Sequence, residues 1–170
     1  MKKRIKSVIT IIMTALILCL LFWRLWPQSF SRLISVSEDS IAGFSGYAMV
    51  NNYEKDDHAF YHINESDALS DAPDEILEIL ATSGYRQDLR NLLPCGIDGA
   101  SGDKNYDGRM ITLYLYLQDQ ENKYIEFQFL SSSLVVIRTA DDPHMRIYHP
   151  TNSATFKKLV EYLQTNGTTQ

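Results

Sequence analysis

RMITLYLYLQ, Arg109 to Gln118, is the stretch whose reading decides the fold. Ile111, Leu113, Leu115 and Leu117 alternate strictly with Thr112, Tyr114, Tyr116 and Gln118, and a period of two belongs to a strand with one apolar face. Downstream, KYIEFQFLS, Lys123 to Ser131, repeats the pattern with Ile125, Phe127 and Phe129 against Glu126 and Gln128. LVVIRT, Leu134 to Thr139, and MRIYH, Met145 to His149, continue it across the short polar turns DQEN and ADDPH. Short turns require antiparallel neighbours, so a four-stranded meander is expected.

An apolar sheet face needs a cover. SATFKKLVEYLQ, Ser153 to Gln164, places Phe156, Leu159, Val160 and Leu163 at i, i+3, i+4 and i+7, with Ser153 or Asn152 as cap and Gly167 as stop. Upstream, SDALSDAPDEILEILATSGY carries Asp71 as a cap, Pro73 in the first turn, the stripe Ile76, Leu77, Ile79 and Leu80, and Gly84 as a left-handed stop. SRLISVS (31–37), GFSGYAMV (43–50) and HAFYHIN (58–64) read as short strands, whereas the chain from Pro94 to Gly108 reads as a Gly/Asp-rich loop. The predicted fold is α+β in two layers: an antiparallel sheet, made of the meander plus N-terminal strands, packed by two helices.

The N-terminus is of another kind. Lys2, Lys3, Arg4 and Lys6 precede Val8 to Trp23, an uncharged apolar run interrupted only by Thr10 and Thr14. Such a run is a membrane helix or a signal peptide. The bulky or charged Phe22, Trp23, Arg24, Leu25, Trp26 and Pro27 that end it are poor cleavage-site residues, and Cys19 lacks the small neighbour of a lipoprotein signal, so an uncleaved anchor is the better reading. The excess of bases before the run keeps that end in the cytoplasm. Residues 1–29 are thus expected to be the leader and transmembrane anchor and residues 30–170 an extracytoplasmic domain at the cell membrane. Of 16 Lys and Arg, five lie at or before Arg24, leaving 11 against all 21 acids, a formal charge of −10 for the outer part. That field argues against nucleic acid and anionic membrane surfaces as partners. Cys95 is the one cysteine beyond the apolar run, which excludes an internal disulfide there.

The basic leader and apolar run, FSRLIS after it, HINESDALSDAPDEILEILATSGY and MRIYHPTNSATFKKLVEYL together resemble small single-pass membrane-anchored proteins of unknown function from clostridial-type Gram-positive bacteria. The resemblance implies an envelope location and carries over no activity.

Candidate sites are few. Asp103, Asn105, Asp107 and Gly108 open a calcium loop with oxygen ligands at positions one, three and five and a glycine at six. Position twelve is Tyr114 where a bidentate acid is needed, so a turn launching the following strand explains the same residues. His58 and His62 are four apart, as are metal ligands on a helix, yet on a strand their imidazoles lie roughly 13 Å apart. His144 and His149 offer no tighter spacing. GFSG around Ser45 is one residue short of a nucleophile elbow. Asp56, Asp57, Asp141 and Asp142 sit in polar turns, and no glycine loop cradles a phosphate; no cofactor is expected. Asn64 and Asn166 open sequons that carry no meaning in a bacterium.

What remains is the polar side of the sheet, where Tyr114, Tyr116 and Tyr124 stand beside Gln118, Glu126 and Gln128. Tyrosine offers a large rigid surface with a polar tip, suited to a protein, peptide or cell-wall partner. The alternative is that these rings pair across the sheet. The functional expectation is a non-enzymatic binding or interaction module at the envelope. A metal-dependent or acid/base hydrolase using dispersed His and Asp/Glu is the alternative, and modulation of another membrane protein a third reading.

Overall fold

The alternating stretches assemble into one antiparallel sheet, with helices along one face. In the computed structural model the described residues are 2–52, 57–63, 73–92, 108–118, 123–139 and 142–169. Strands β1 (Ile41–Asn52), β2 (Asp57–Ile63), β3 (Tyr85–Gln87), β4 (Arg109–Leu117), β5 (Tyr124–Ser131), β6 (Leu134–Thr139), β7 (Asp142–Pro150) and β8 (Thr168–Thr169) lie in the order β3-β7-β6-β5-β4-β1-β2-β8. Chain neighbours β4 to β7 pair in sequence, with Tyr116 opposite Tyr124, Glu126 opposite Arg138 and Val136 opposite Ile147. On the other side β1 pairs with β4 and hairpins with β2.

Among the described residues the sheet is joined by helices α1 (Lys2–Leu25), α2 (Phe30–Ile34), α3 (Pro73–Ala81) and α4 (Ala154–Asn166) and by 3-10 turns at Glu38–Ser40 and Leu89–Leu92. The face of Ile111, Leu113, Leu115, Ile125, Phe127 and Phe129 is buried beneath α2, α3 and α4. Phe127 is its centre, with its ring 5.8 Å from Phe30 of α2, 6.5 Å from Tyr85 and 6.4 Å from Phe129. α4 applies Phe156 to Phe129 and Tyr162 to Phe44. α3 packs between α2 and α4 through Ile76, Leu77 and Leu80. The buried Tyr85 hydroxyl donates to the Leu80 carbonyl at 2.9 Å and so ties the end of α3 to β3.

Three readings of the sequence are corrected. SRLISVS is not a strand: Phe30, Leu33 and Ile34 occupy i, i+3 and i+4, bury against the sheet as α2, and Ser35 ends the turn in the left-handed region at φ 57°. The run was too short for its alternation to be told from helical spacing. LVVIRT does not alternate in burial, because Leu134, Val135, Val136 and Ile137 are all buried, with Leu134, Val136 and Ile147 forming a second small cluster on the opposite face. Finally, ADDPH is less turn than expected, since β7 begins at Asp142.

α1 has 24 residues, about 36 Å of helix against a hydrocarbon layer of about 30 Å. Its window Lys6–Trp23 has a mean hydropathy of 2.2 and none of it is buried. It is long and apolar enough to cross a membrane, and a signal sequence would meet the same description. The hydroxyls of Thr10 and Thr14 donate to carbonyls one turn earlier, so neither interruption leaves an unmet polar group on the apolar surface. The exit is short. The Gln28 N–H donates to Tyr85 O at 2.9 Å and the Tyr85 N–H to Gln28 O at 2.8 Å, extending the sheet edge to within three residues of α1.

Candidate functional site

Register puts every second residue of the central strands on the face away from the helices. On β4 and β5 these are Thr112, Tyr114, Tyr116, Tyr124, Glu126 and Gln128; on β1 and β2 they are Ser45, Tyr47, Met49, Phe60 and His62. Helices α2, α3 and α4 pack on the other side, the 3-10 turn Leu89–Leu92 meets β7 through Asn91 and Ile147, and Tyr47, Phe60, Tyr114, Tyr116 and Tyr124 are each half-buried. The three tyrosines named from sequence come together: Tyr124 meets Tyr114 edge to face at 5.3 Å and Tyr116 at 6.4 Å. Rings in this arrangement hold one another by edge-to-face attraction and lose little freedom when a partner covers them. Cross-strand pairing and an exposed binding surface are therefore compatible here.

Two neighbours fix the cluster. The Ser45 and Tyr116 hydroxyls share a hydrogen bond of 2.8 Å across β1 and β4. Glu126 is paired with Arg138 at 2.8 Å. Burial, and after it the Glu126 carboxylate, push the Tyr114 phenol up, so it stays a neutral hydrogen-bonding group throughout the physiological range. A second aromatic pair, Tyr47 stacked on Phe60 at 5.3 Å, lies two strands away with His62 beside it. From β2 to β5 the platform crosses three interstrand spacings, roughly 14 Å. Between the two aromatic pairs Thr112 is fully buried and its hydroxyl has no partner.

The first aromatic pair was readable from β4 and β5 alone. Tyr47, Phe60 and Ser45 were missed because the register of β1 and β2 against β4 is a long-range property. Period two in GFSGYAMV and HAFYHIN was the available signal, but it does not say which alternate set shares a face with Tyr114.

The other candidates fare differently. Asp103, Asn105 and Asp107, with Cys95, lie outside the described residues, and only Gly108, at φ 87°, is seen to take the left-handed turn expected before β4. The histidines do not converge. β2 and β7 are separated by four strands, so His62 lies roughly 24 Å across the sheet from His149. His149 does face an acid, Asp88, at 2.8 Å, but its other ring nitrogen is 2.9 Å from the Ser133 carbonyl. With both nitrogens held by oxygens of the protein, this imidazole is a clamp between β7, Asp88 and the β5–β6 turn and has no free nitrogen to offer a substrate. Asp88 is bridged twice by Arg90, whose hydrogen bonds hold its carboxyl well below the usual carboxylate range. Among the described residues no three His, Cys, Asp or Glu side chains gather as a metal site.

On the helix-bearing side a cleft of about 430 Å³ opens between α2 and the ends of β5, β6 and β7. Nothing in the local sequence marks it, because its walls come from six separate segments. No known family model, curated protein or solved structure matches this chain, so its function is argued from its own residues.

Proposed function

We propose that this chain is a membrane-anchored binding module of the cell envelope, with its C-terminal domain outside the cytoplasm and the tyrosine face of the sheet as its recognition surface. One observation carries the reading: five half-buried aromatic rings and an ion pair share the side of the sheet opposite α2, α3 and α4. Rigid aromatic area with phenolic tips suits an extended peptide or a glycan strand, which lays flat faces and hydrogen-bonding edges against it. The long apolar α1, the base-rich end before it and the resemblance to small anchored envelope proteins support the location.

The hydrolase alternative draws no support from the described histidines, which lie far apart along the sheet or are held at both nitrogens. To test the binding reading, the full chain in nanodiscs is exposed to solubilised cell-wall fragments and to envelope proteins, alongside Tyr114→Ala/Tyr124→Ala. Binding that falls about tenfold or more in the double variant, with the fold retained, is expected. Equal retention of every probe by both proteins would sink the assignment.

A further inference from the structure

The cleft beside α2 differs in charge from the domain that carries it. Arg32 comes from α2, His144, Arg146 and Tyr148 from β7, Gln87 from β3, and Gln28 from the exit of α1. Among the described residues no Asp or Glu lines it, although acids outnumber bases 21 to 11 beyond Arg24. Ile125 and Ile137 form an apolar floor. Among the described residues, two guanidinium groups and an imidazole stand on walls otherwise made of neutral amide, hydroxyl and apolar groups; such a set suits an anion, and the planar fork of Arg matches the oxygens of phosphate. The volume lies within the range of small-ligand pockets.

Position adds a source for that anion. Arg32 also lies 5.8 Å above the ring of Trp23, in the last turns of α1, and Gln28 is pinned to Tyr85 by two backbone hydrogen bonds. Only two residues, Trp26 and Pro27, separate α1 from that pinned position, so the cleft cannot swing far from the end of the apolar helix. Where α1 enters a bilayer, Trp23 sits at the depth that aromatic rings favour, and the cleft lies at the level of the headgroups.

We propose that this cleft binds a phosphate group. The phosphate of an anionic lipid in the surrounding leaflet and phosphate free in solution share the chemistry; the lipid source rests on α1 spanning the membrane, whereas recognition of phosphate does not. Held there, a headgroup ties the domain to the surface beside its own anchor and fixes which way the tyrosine face points.

The experiment uses the full chain in two settings. In detergent, inorganic phosphate is titrated while the fluorescence of Trp23 and Trp26, the two tryptophans of the chain, is followed. In nanodiscs of phosphatidylcholine with or without phosphatidylglycerol, native mass spectrometry counts the lipids retained on release. Arg32→Gln/Arg146→Gln is compared with Arg32→Lys/Arg146→Lys, which keeps the charge, and with Lys158→Gln on α4, which does not line the cleft. Selective retention of phosphatidylglycerol that drops about tenfold in the Gln pair and only in part in the Lys pair assigns the site to lipid. A saturable response to inorganic phosphate with no lipid preference assigns it to free phosphate, and that arm decides the chemistry even if α1 does not insert. Should the Gln pair fail to fold, the proposal is overturned when wild type and the Lys pair alike neither bind phosphate nor retain phosphatidylglycerol selectively. It is overturned equally if the Gln pair folds and matches wild type in both assays.

Discussion

The two faces of the sheet are made by the same strands and differ in almost everything else. Toward the helices, Ile111, Leu113, Leu115, Ile125, Phe127 and Phe129 are at most 1% exposed. On the reverse, Tyr114, Tyr116, Tyr124, Glu126 and Gln128 stand half-buried, the rings against one another, Tyr116 bonded to Ser45 and Glu126 paired with Arg138. One side is a core whose energy comes from removing apolar area from water and packing it without gaps. The other keeps its aromatic area at the surface, an arrangement that stabilises the fold less and leaves contact area for a partner.

This contrast is open to direct attack. Phe127→Ala removes the ring on which α2, β3 and β5 converge and is expected to cost about 3–5 kcal/mol, read from chemical unfolding of the full chain in detergent. A loss below about 1 kcal/mol would mean that the helix face is not the core. Gly46→Ala comes next: a Cβ there would stand 2.6 Å from Leu113 Cδ2 and 2.9 Å from the Thr112 carbonyl on the paired strand. Forcing the two strands apart should cost about 1–3 kcal/mol. Tyr114→Ala/Tyr124→Ala on the opposite face should cost about 1–2 kcal/mol, less than Phe127→Ala, while abolishing most of the binding, because half-buried rings remove less apolar area from water than a core ring. A large stability loss with unchanged binding would reverse the roles assigned to the two faces.

The sheet edge gives a prediction in pH. Hydrogen bonds from Arg90 hold the Asp88 carboxyl below its ordinary range, so the folded protein binds this proton less readily than the unfolded chain. Its contribution is therefore present above the ordinary carboxylate value of about 4 and is lost as pH falls below it. The urea midpoint should fall between about pH 6 and pH 3, and Asp88→Asn should be less stable at pH 6 with a shallower fall. Parallel pH profiles for the two proteins would contradict the clamp. The smallest effect is expected of Thr112→Val, which replaces a buried, unpartnered hydroxyl by a methyl of similar shape and should be neutral or stabilising by up to about 1 kcal/mol. Marked destabilisation would show that the hydroxyl is satisfied in solution.

Much of this was legible where the signal is local. Period two in RMITLYLYLQ and KYIEFQFLS assigned each residue to a face, and β4 and β5 carry that assignment through in their burial except at Thr112, which is buried on the polar face. Phe156, Leu159, Val160 and Leu163 marked the inner side of α4. The early segment failed because FSRLI is five residues long, and in so short a window two periodicities fit equally well; burial against Phe127 decided for the helix. LVVIRT failed for another reason, since what covers the second side of a strand is not encoded in the strand.

The amino-acid sequence by itself determined the apolar helix, the α+β class, the two-sidedness of the central strands and the acidic balance of the outer part. Each of these follows from neighbours within a few positions or from composition, where backbone geometry converts spacing directly into facing. Only the tertiary structure decided that β1 joins β4, so that Tyr47 and Phe60 extend the tyrosine row, and that the histidines stay apart. It also decided that Arg32, His144 and Arg146 meet at one cleft from positions more than a hundred residues apart. Such meetings depend on which strands pair and which helix lies over them, and the free energy that selects those pairings is shared across the whole core.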